Sequence, residues 1–194
     1  MTNTTIKTAT ESDVAPIIDV LVLAFSTDPA VRWLYPAPHQ YLDSFPPFIA
    51  AFGGKGFDHG SSYYADEYAG AALWLPPGVH SDEDELFALL RRTIGEREQT
   101  EAFALFEQMG LYHPTEPHWY LPLIGVDPTR QGKGYGSALM RHALIQCDLD
   151  RLPAYLESSN SANIPLYQRH GFELLGTIQV GNSPPIFPML RKPQ

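Results

Sequence analysis

Cysteine is almost absent: the 194 residues hold one, Cys147, so no internal disulfide framework exists. No activating motif surrounds it, and it is expected as a buried structural thiol on a helix rather than a nucleophile. Basic residues are also scarce. Thirteen Lys/Arg face 22 Asp/Glu, a net charge of −9, which argues against a nucleic-acid partner. No apolar run approaches the roughly 18 residues of a membrane span. The N-terminus is Thr-rich and polar, without the basic and apolar regions of a signal peptide. A cytoplasmic protein with no membrane partner is therefore expected. No His/Cys cluster has metal-binding spacing, so no metal is expected. No G-x-S-x-G signature of a serine hydrolase is present.

What is present is a globular composition, 44% hydrophobic and 12% aromatic. The length suits one domain spanning 1–194, large enough for a real core. Charge is spread unevenly. Residues 1–117 carry 6 Lys/Arg against 17 Asp/Glu, a net −11, while residues 118–194 carry 7 against 5, a net +2. The basic half suits an anionic ligand. The acidic half either draws a cationic amine or is a solvated surface that serves solubility.

The stretch 118–139, HWYLPLIGVDPTRQGKGYGSAL, organises the chain. Trp119 to Val126 reads as a buried strand ended by Asp127 and Pro128. Gly132, Gly134 and Gly136 follow at alternate positions, and a helical pattern begins at Tyr135. Strand, glycine loop and helix in that order point free N–H groups at one spot on the positive end of a helix dipole, which suits a pyrophosphate. A dinucleotide fingerprint fails, because its last glycine would fall on Ser137 or Leu139. A P-loop fails, because Lys133 is followed by Gly134. What remains is Q-x-x-G-x-G: Gln131, Gly134, Gly136.

Along the chain, a strand is expected over 4–9. Thr10 to Asp13 then caps a helix through Val14, Ile17, Leu21 and Phe25, ending near Asp28-Pro29. The stretch 32–47 is rich in proline and aromatics. A short helix within it continues to Phe52, and Gly53 to Gly56 break it. Residues 61–65 and 69–75 form a hairpin. Two helices follow, one opened by Asp82 to Glu85 and one over 98–110. Pro122 within the strand 119–126 fits an edge, a bulge or a splay. After the loop helix come a strand over 154–158, a short helix over 161–170 closed by Gly171, and final strands over 173–180 and 186–190.

The glycine loop closely resembles the pyrophosphate-binding motif of the GNAT acetyltransferase superfamily. A second stretch, LESSNSANIPLYQRHGFELLG (156–176), resembles the second signature of that family, with Asn163, Tyr167, Gly171 and Phe172 in the expected order. The resemblance covers roughly 118–176. It implies an α/β (α+β) fold with a central mixed, mostly antiparallel sheet of about 6–7 strands flanked by helices. A splay would open between the central strand (118–126) and the strand 153–158. It implies an acetyl-CoA-binding core in 118–176 and an acceptor-side half in 1–117. Acetyl-CoA would be co-substrate: pyrophosphate on the amides of Gln131, Gly132, Lys133, Gly134, Tyr135, Gly136 and Ser137, and pantetheine along Ile124, Gly125 and Val126. Asn163 would hold the pantetheine, and Tyr167 would lie near the thioester sulfur.

Each residue also has a plainer reading. Tyr167 is the expected general acid, or a core aromatic. Asn163 is a ligand, or a helix N-cap. Glu157 interrupts an apolar strand and is either the base or a salt-bridged carboxylate. His118 is a base or a strand-entry surface residue. His113 and His170 are expected at the surface. Arg130 and Lys133 touch CoA phosphates or are ordinary exposed cations. Trp33, Tyr35 and Trp74 pack in the core or line an acceptor pocket, and the aromatic stretch 33–52 is core or the interface of a homodimer. The expected activity is acetyl transfer to a small-molecule or peptide amine in a ternary complex. A non-catalytic acyl-CoA sensor and a transferase of another acyl-CoA stay open.

Overall fold

The structure is a computed structural model, and it describes residues 4–194. One seven-stranded sheet runs through it, built from β1 (Ile6–Thr8), β2 (Ser62–Ala65), β3 (Gly70–Leu75), β4 (Trp119–Val126), β5 (Ala154–Ser158), β6 (Glu173–Leu174) and β7 (Phe187–Arg191). Their order across the sheet is β1-β2-β3-β4-β5-β7-β6. All neighbours are antiparallel except β4 and β5. This is the mixed, mostly antiparallel sheet that the sequence led us to expect. The strand expected over 173–180 shortens to β6, while the one expected over 186–190 forms as β7, one residue later. Leu175 still donates to the Pro188 carbonyl at 2.9 Å, after which the chain leaves the sheet and meets it again at the Ile178–Ile186 bridge.

Among the described residues, eight α-helices flank the sheet: α1 (Val14–Ala24), α2 (Pro29–Leu34), α3 (Pro38–Gly53), α4 (Lys55–Asp58), α5 (Glu83–Thr93), α6 (Glu96–Tyr112), α7 (Tyr135–Asp150) and α8 (Ile164–Arg169). One core packs α1, α2, α3 and α5 on one face of the sheet, around Ile17, Leu21, Phe45, Ile49, Leu73 and Leu89. Another packs α7 and α8 on the opposite face, around Trp74, Leu139, Met140, Cys147, Leu156 and Tyr167. Cys147 is buried as expected, and that burial pushes its thiol up to about 12.

Two helices depart from expectation, both in the proline-rich region. Pro29 starts a helix instead of following one. Asp28 caps α2 by accepting the N–H groups of Ala30 and Val31, and Pro29 takes the first helical position, where no N–H is needed. α3 is a 16-residue helix that continues through Pro46 and Pro47. Its Tyr41, Phe45 and Phe48 rings stack in succession with centroids 5.2 and 5.8 Å apart, and Phe52 tilts against Phe48 at 5.4 Å. That buried aromatic row outweighs the lost backbone bonds. Most of the 33–52 aromatics are therefore core. Tyr35 and Trp74 are likewise fully buried.

Pro122 marks the point where the sheet opens. Leu73 pairs with Leu123 and Leu75 with Tyr120, so Leu121 and Pro122 together oppose Trp74. This is a bulge, and it reverses which edge each β4 residue faces. Before it, Trp119 donates its N–H to Pro153 beside β5, at 2.9 Å. After it, Asp127 donates to Ala69 beside β3, at 3.0 Å. Because successive residues turn to opposite edges, Leu123 and Gly125 face β3 while Ile124 and Val126 face away from it. Pairing of β4 with β5 stops at Leu121–Leu156. The backbone groups of Ile124 and Val126 therefore line an open V between the strands.

Candidate active site

The glycine loop closes one side of this V. Gly132 and Gly134 have φ of 75° and 90°, conformations that a side chain resists. Gly134 is the N-cap of α7, and Ala138 makes the first helical bond, to the Gly134 carbonyl. The amides of Tyr135, Gly136 and Ser137 thus have no partner within the helix and point out of its positive end. A Cβ on Gly136 would sit 3.5 Å from Leu166, so α8 packs close beside the loop. Gln131 folds back, its Nε2 donating to the Val126 carbonyl at 3.3 Å.

These parts border a groove of about 520 Å³ that runs from the loop to Tyr167. Ile124, Gly125, Val126, Gln131, Gly132, Gly134, Tyr135, Gly136, Ser137, Asn163 and Tyr167 all line it, and so does Arg130. Lys133 does not: its ammonium turns to the Thr129 carbonyl at 3.3 Å. Gly125 lines the groove, but its backbone groups face β3. A Cβ on it would lie 2.6 Å from the Ala24 Cβ, so its small size serves the packing of α1. Asn163 does not cap α8 with its side chain. Asn160 does the local capping instead, accepting the Ala162 N–H at 3.0 Å. His170 is not a free surface residue: its Nε2 is 2.7 Å from the Ser137 hydroxyl, which also accepts from Arg141.

On the far side of the V lies a smaller cavity of about 100 Å³. Phe25, Trp33, Phe48, Phe52, Leu105 and Phe106 are among its apolar walls, and Glu157 is its one charged lining residue. Groove and cavity share Phe25, Ile124, Asn163 and Tyr167, so they meet where the strands part. Tyr167 is 5% exposed. Burial, and secondarily the charge of Asp28, push its phenol above the ordinary tyrosine value. It therefore stays protonated at neutral pH, as a donor must.

Glu157 sits one residue past the last β4–β5 pair, with its side chain 3% exposed. Its Oε1 lies 3.0 Å from His113 Nε2. His113 was expected at the surface. Instead its ring packs on Tyr120 and Tyr155, with centroids 4.7 and 4.5 Å away. His118 is half-buried beside it and bonds the Glu116 carbonyl, and burial pulls its imidazole below the ordinary value.

Sequence reasoning missed Asp28 and the whole apolar cavity. Asp28 is buried, and its second carboxylate oxygen accepts the Ser159 hydroxyl at 2.5 Å, tying the start of α2 to the end of β5. Desolvation pushes its carboxyl up, against those hydrogen bonds. Asp28-Pro29 is a recognisable cap-plus-first-turn pair, and it was the available signal for α2.

A family model described as an acetyltransferase (GNAT) domain matches residues 89–174. That span holds β4, the glycine loop, α7, β5 and α8. Residues 89–174 are a GNAT acetyltransferase domain by this match. The chain is 30% identical over 149 residues to an uncharacterised N-acetyltransferase of Schizosaccharomyces pombe, a match covering 66% of the chain and 58% of that protein's length. It is similar to the crystal structure described as histone acetyltransferase HPA2 and related acetyltransferase from Corynebacterium glutamicum, with TM-score 0.71 and 28% identity, covering 98% of this chain and 97% of that one. It shares its fold with arylalkylamine N-acetyltransferase 2 from Aedes aegypti, with TM-score 0.69 and 15% identity, covering 99% and 100%. Among the described residues no cluster of His, Cys, Asp and Glu is arranged to hold a metal, and no helix is long and apolar enough to cross a membrane.

Proposed function

We propose that the protein transfers an acetyl group from acetyl-CoA to the primary amine of a small molecule with an apolar body, by direct attack in a ternary complex. One observation carries this reading: a groove ending on free helix N-terminal amides meets an apolar cavity at Tyr167 and Ile124. The groove's donor set fits an acyl-CoA. The amides of Gly134 to Ser137, with Arg130, would hold the pyrophosphate. Ile124 and Val126 would pair with the pantetheine as an added strand would. Lys133 would take part through its backbone amide rather than its ammonium, and Gly125 by bordering the pantetheine.

The cavity supports the acceptor class. A cavity of ~150 Å³ lined by aliphatic and aromatic groups takes benzene, so about 100 Å³ suits a small alkyl group, or an aryl ring that extends into the V onto which the cavity opens. A peptide backbone or a polycation would strand polar groups among the phenylalanines. The fold relative from Aedes aegypti bears the name of an arylalkylamine acetyltransferase, which agrees with this choice. Glu157 would hold the ammonium and take its proton. The N–H of Ile124 or Val126 would polarise the thioester carbonyl, and Tyr167 would donate a hydrogen bond to the departing sulfur. Holding both substrates in line would itself be worth about 7–11 kcal/mol.

Replacing Tyr167 with Phe tests the reading. An acid role predicts that kcat falls by about 10²–10⁴ while acetyl-CoA affinity measured by calorimetry stays close to wild type. Unchanged kcat would remove Tyr167 from the chemistry. Acetyl-CoA binding without turnover in the wild type would favour a sensor.

A further inference from the structure

The ammonium proton needs a way out of an apolar cavity. Glu157 is nearly sealed from solvent. The other polar side chains lining its cavity are Ser159, Asn163 and Tyr167, and none of these is a base at neutral pH. On the other side of the carboxylate, His113 Nε2 is 3.0 Å from Oε1, and the His113 side chain is 30% exposed. His113 caps the C-terminal end of α6, so one ring spans the distance between the buried carboxylate and water.

We propose that His113 is the proton exit of this site: it accepts from Glu157 the proton removed from the acceptor ammonium and releases it to solvent. This rests on the acetyltransferase reading and on Glu157 as its base. The steps balance. The ammonium N–H breaks and the proton bonds a Glu157 oxygen, leaving a neutral amine to attack. The proton then passes from Glu157 to the bare Nε2 of His113 in its Nδ1–H tautomer, restoring the carboxylate. The imidazolium gives one proton to water, and the ring returns to the Nδ1–H tautomer before the next turnover. His113 does not touch the reacting atoms, so it acts through Glu157.

The groups around His113 suit the task. Tyr155 on β5 and Tyr120 on β4 pack on its ring. Burial, then the Glu157 charge, raise both phenols, so they keep their protons and do not compete as bases. Tyr112 precedes it on α6. His118 lies 5.6 Å from it ring to ring, with its Nδ1 engaged by the Glu116 carbonyl, and His80 lies beyond. Glu157 is the negative group held against the ring.

The test uses the full chain with His113→Gln, which keeps a polar side chain beside Glu157 but cannot relay a proton, and His113→Ala, which leaves a hole. With an acceptor that the wild type turns over, the relay predicts that both variants lose about 10-fold or more in kcat with KM within twofold. It predicts that added imidazole restores His113→Ala and leaves the wild type unchanged. It also predicts that His113→Gln needs a higher pH for the same rate, because water or buffer must take the proton. Wild-type kcat in His113→Gln would overturn the relay and leave the transferase standing. So would a loss in His113→Ala that imidazole does not rescue, since that is packing alone. A turnover-independent arm records the His113 ring nitrogens by NMR at fixed pH. Changing Glu157→Gln should move the Nε2 resonance, and an unmoved Nε2 resonance overturns the pairing. A wild type that acetylates no amine overturns the acetyltransferase reading, and the relay with it.

Discussion

Changing Gly125 to Ala should push α1 off the sheet. The added Cβ would stand 2.6 Å from the Ala24 Cβ, 3.1 Å from Leu21 Cδ2 and 3.4 Å from Phe25 Cε2. Carbon atoms settle ~3.5–4.0 Å apart, so α1 must retreat by about 1 Å. The Ala24 methyl is fixed to the helix backbone and cannot rotate away. Overpacking of this kind costs about 1–3 kcal/mol, which for a chain of this length is about 2–12 °C in Tm. The same shift moves Ala24 and Phe25, which line the donor groove, so acetyl-CoA affinity should fall with stability. Removing the opposing methyl should restore room. Ala24→Gly alone costs at most about 1 kcal/mol, because Ala24 is the last residue of α1. The double variant should be more stable than the two single costs predict, by about 1 kcal/mol or more. Urea unfolding of the four proteins measures the cycle. A Gly125→Ala variant within about 0.5 kcal/mol of wild type, or strict additivity, would refute the close-packing argument.

The buried Cys147 thiol, pushed up to about 12, should not react with a disulfide reagent at pH 8 until the protein is unfolded in denaturant; one thiol per chain titrating in the native state would contradict its burial. The Asp13 carboxyl is held down at about 2 by the Thr10 hydroxyl, the Tyr68 hydroxyl and the Thr10 amide. Its folded value lies below the unfolded 3.8, so its contribution is present above pH 4 and is lost as pH falls toward 2. Tyr68→Phe should therefore weaken the protein at neutral pH and flatten its acid unfolding curve, as read by circular dichroism.

The parts of the fold written in local pattern were legible. An apolar run ended by Asp127-Pro128, glycines at alternate positions and a helical period after Tyr135 require only neighbouring residues, and β4, its loop and α7 lie where that pattern put them. Pro122 was readable as a disturbance, but its consequence was not. The bulge changes which edge Ile124 and Val126 face, and that depends on the register with β3. The proline-rich region misled for a physical reason. Pro29 read as the end of a helix yet opens α2, Pro38 sits in the first turn of α3, and Pro46 and Pro47 are carried by aromatic packing from the same helix. The apolar cavity draws walls from α2, α3, α6, β4 and β5, so no single window of sequence held it. The pairing of His113 with Glu157 was hidden for the same reason: α6 and β5 meet only in the folded chain.

Acetyl transfer itself is tested by mixing the purified protein with acetyl-CoA and a graded panel of amines, from arylalkyl and alkyl monoamines to polyamines and peptides, and following free CoA with a thiol reagent. The sealed Cys147 keeps the background low. Saturable release that depends on the amine, fastest with apolar monoamines, is the predicted result. An absence of acetyl-CoA binding would contradict the reading of the glycine loop and groove, and release favouring polyamines or peptides would contradict the reading of the apolar cavity.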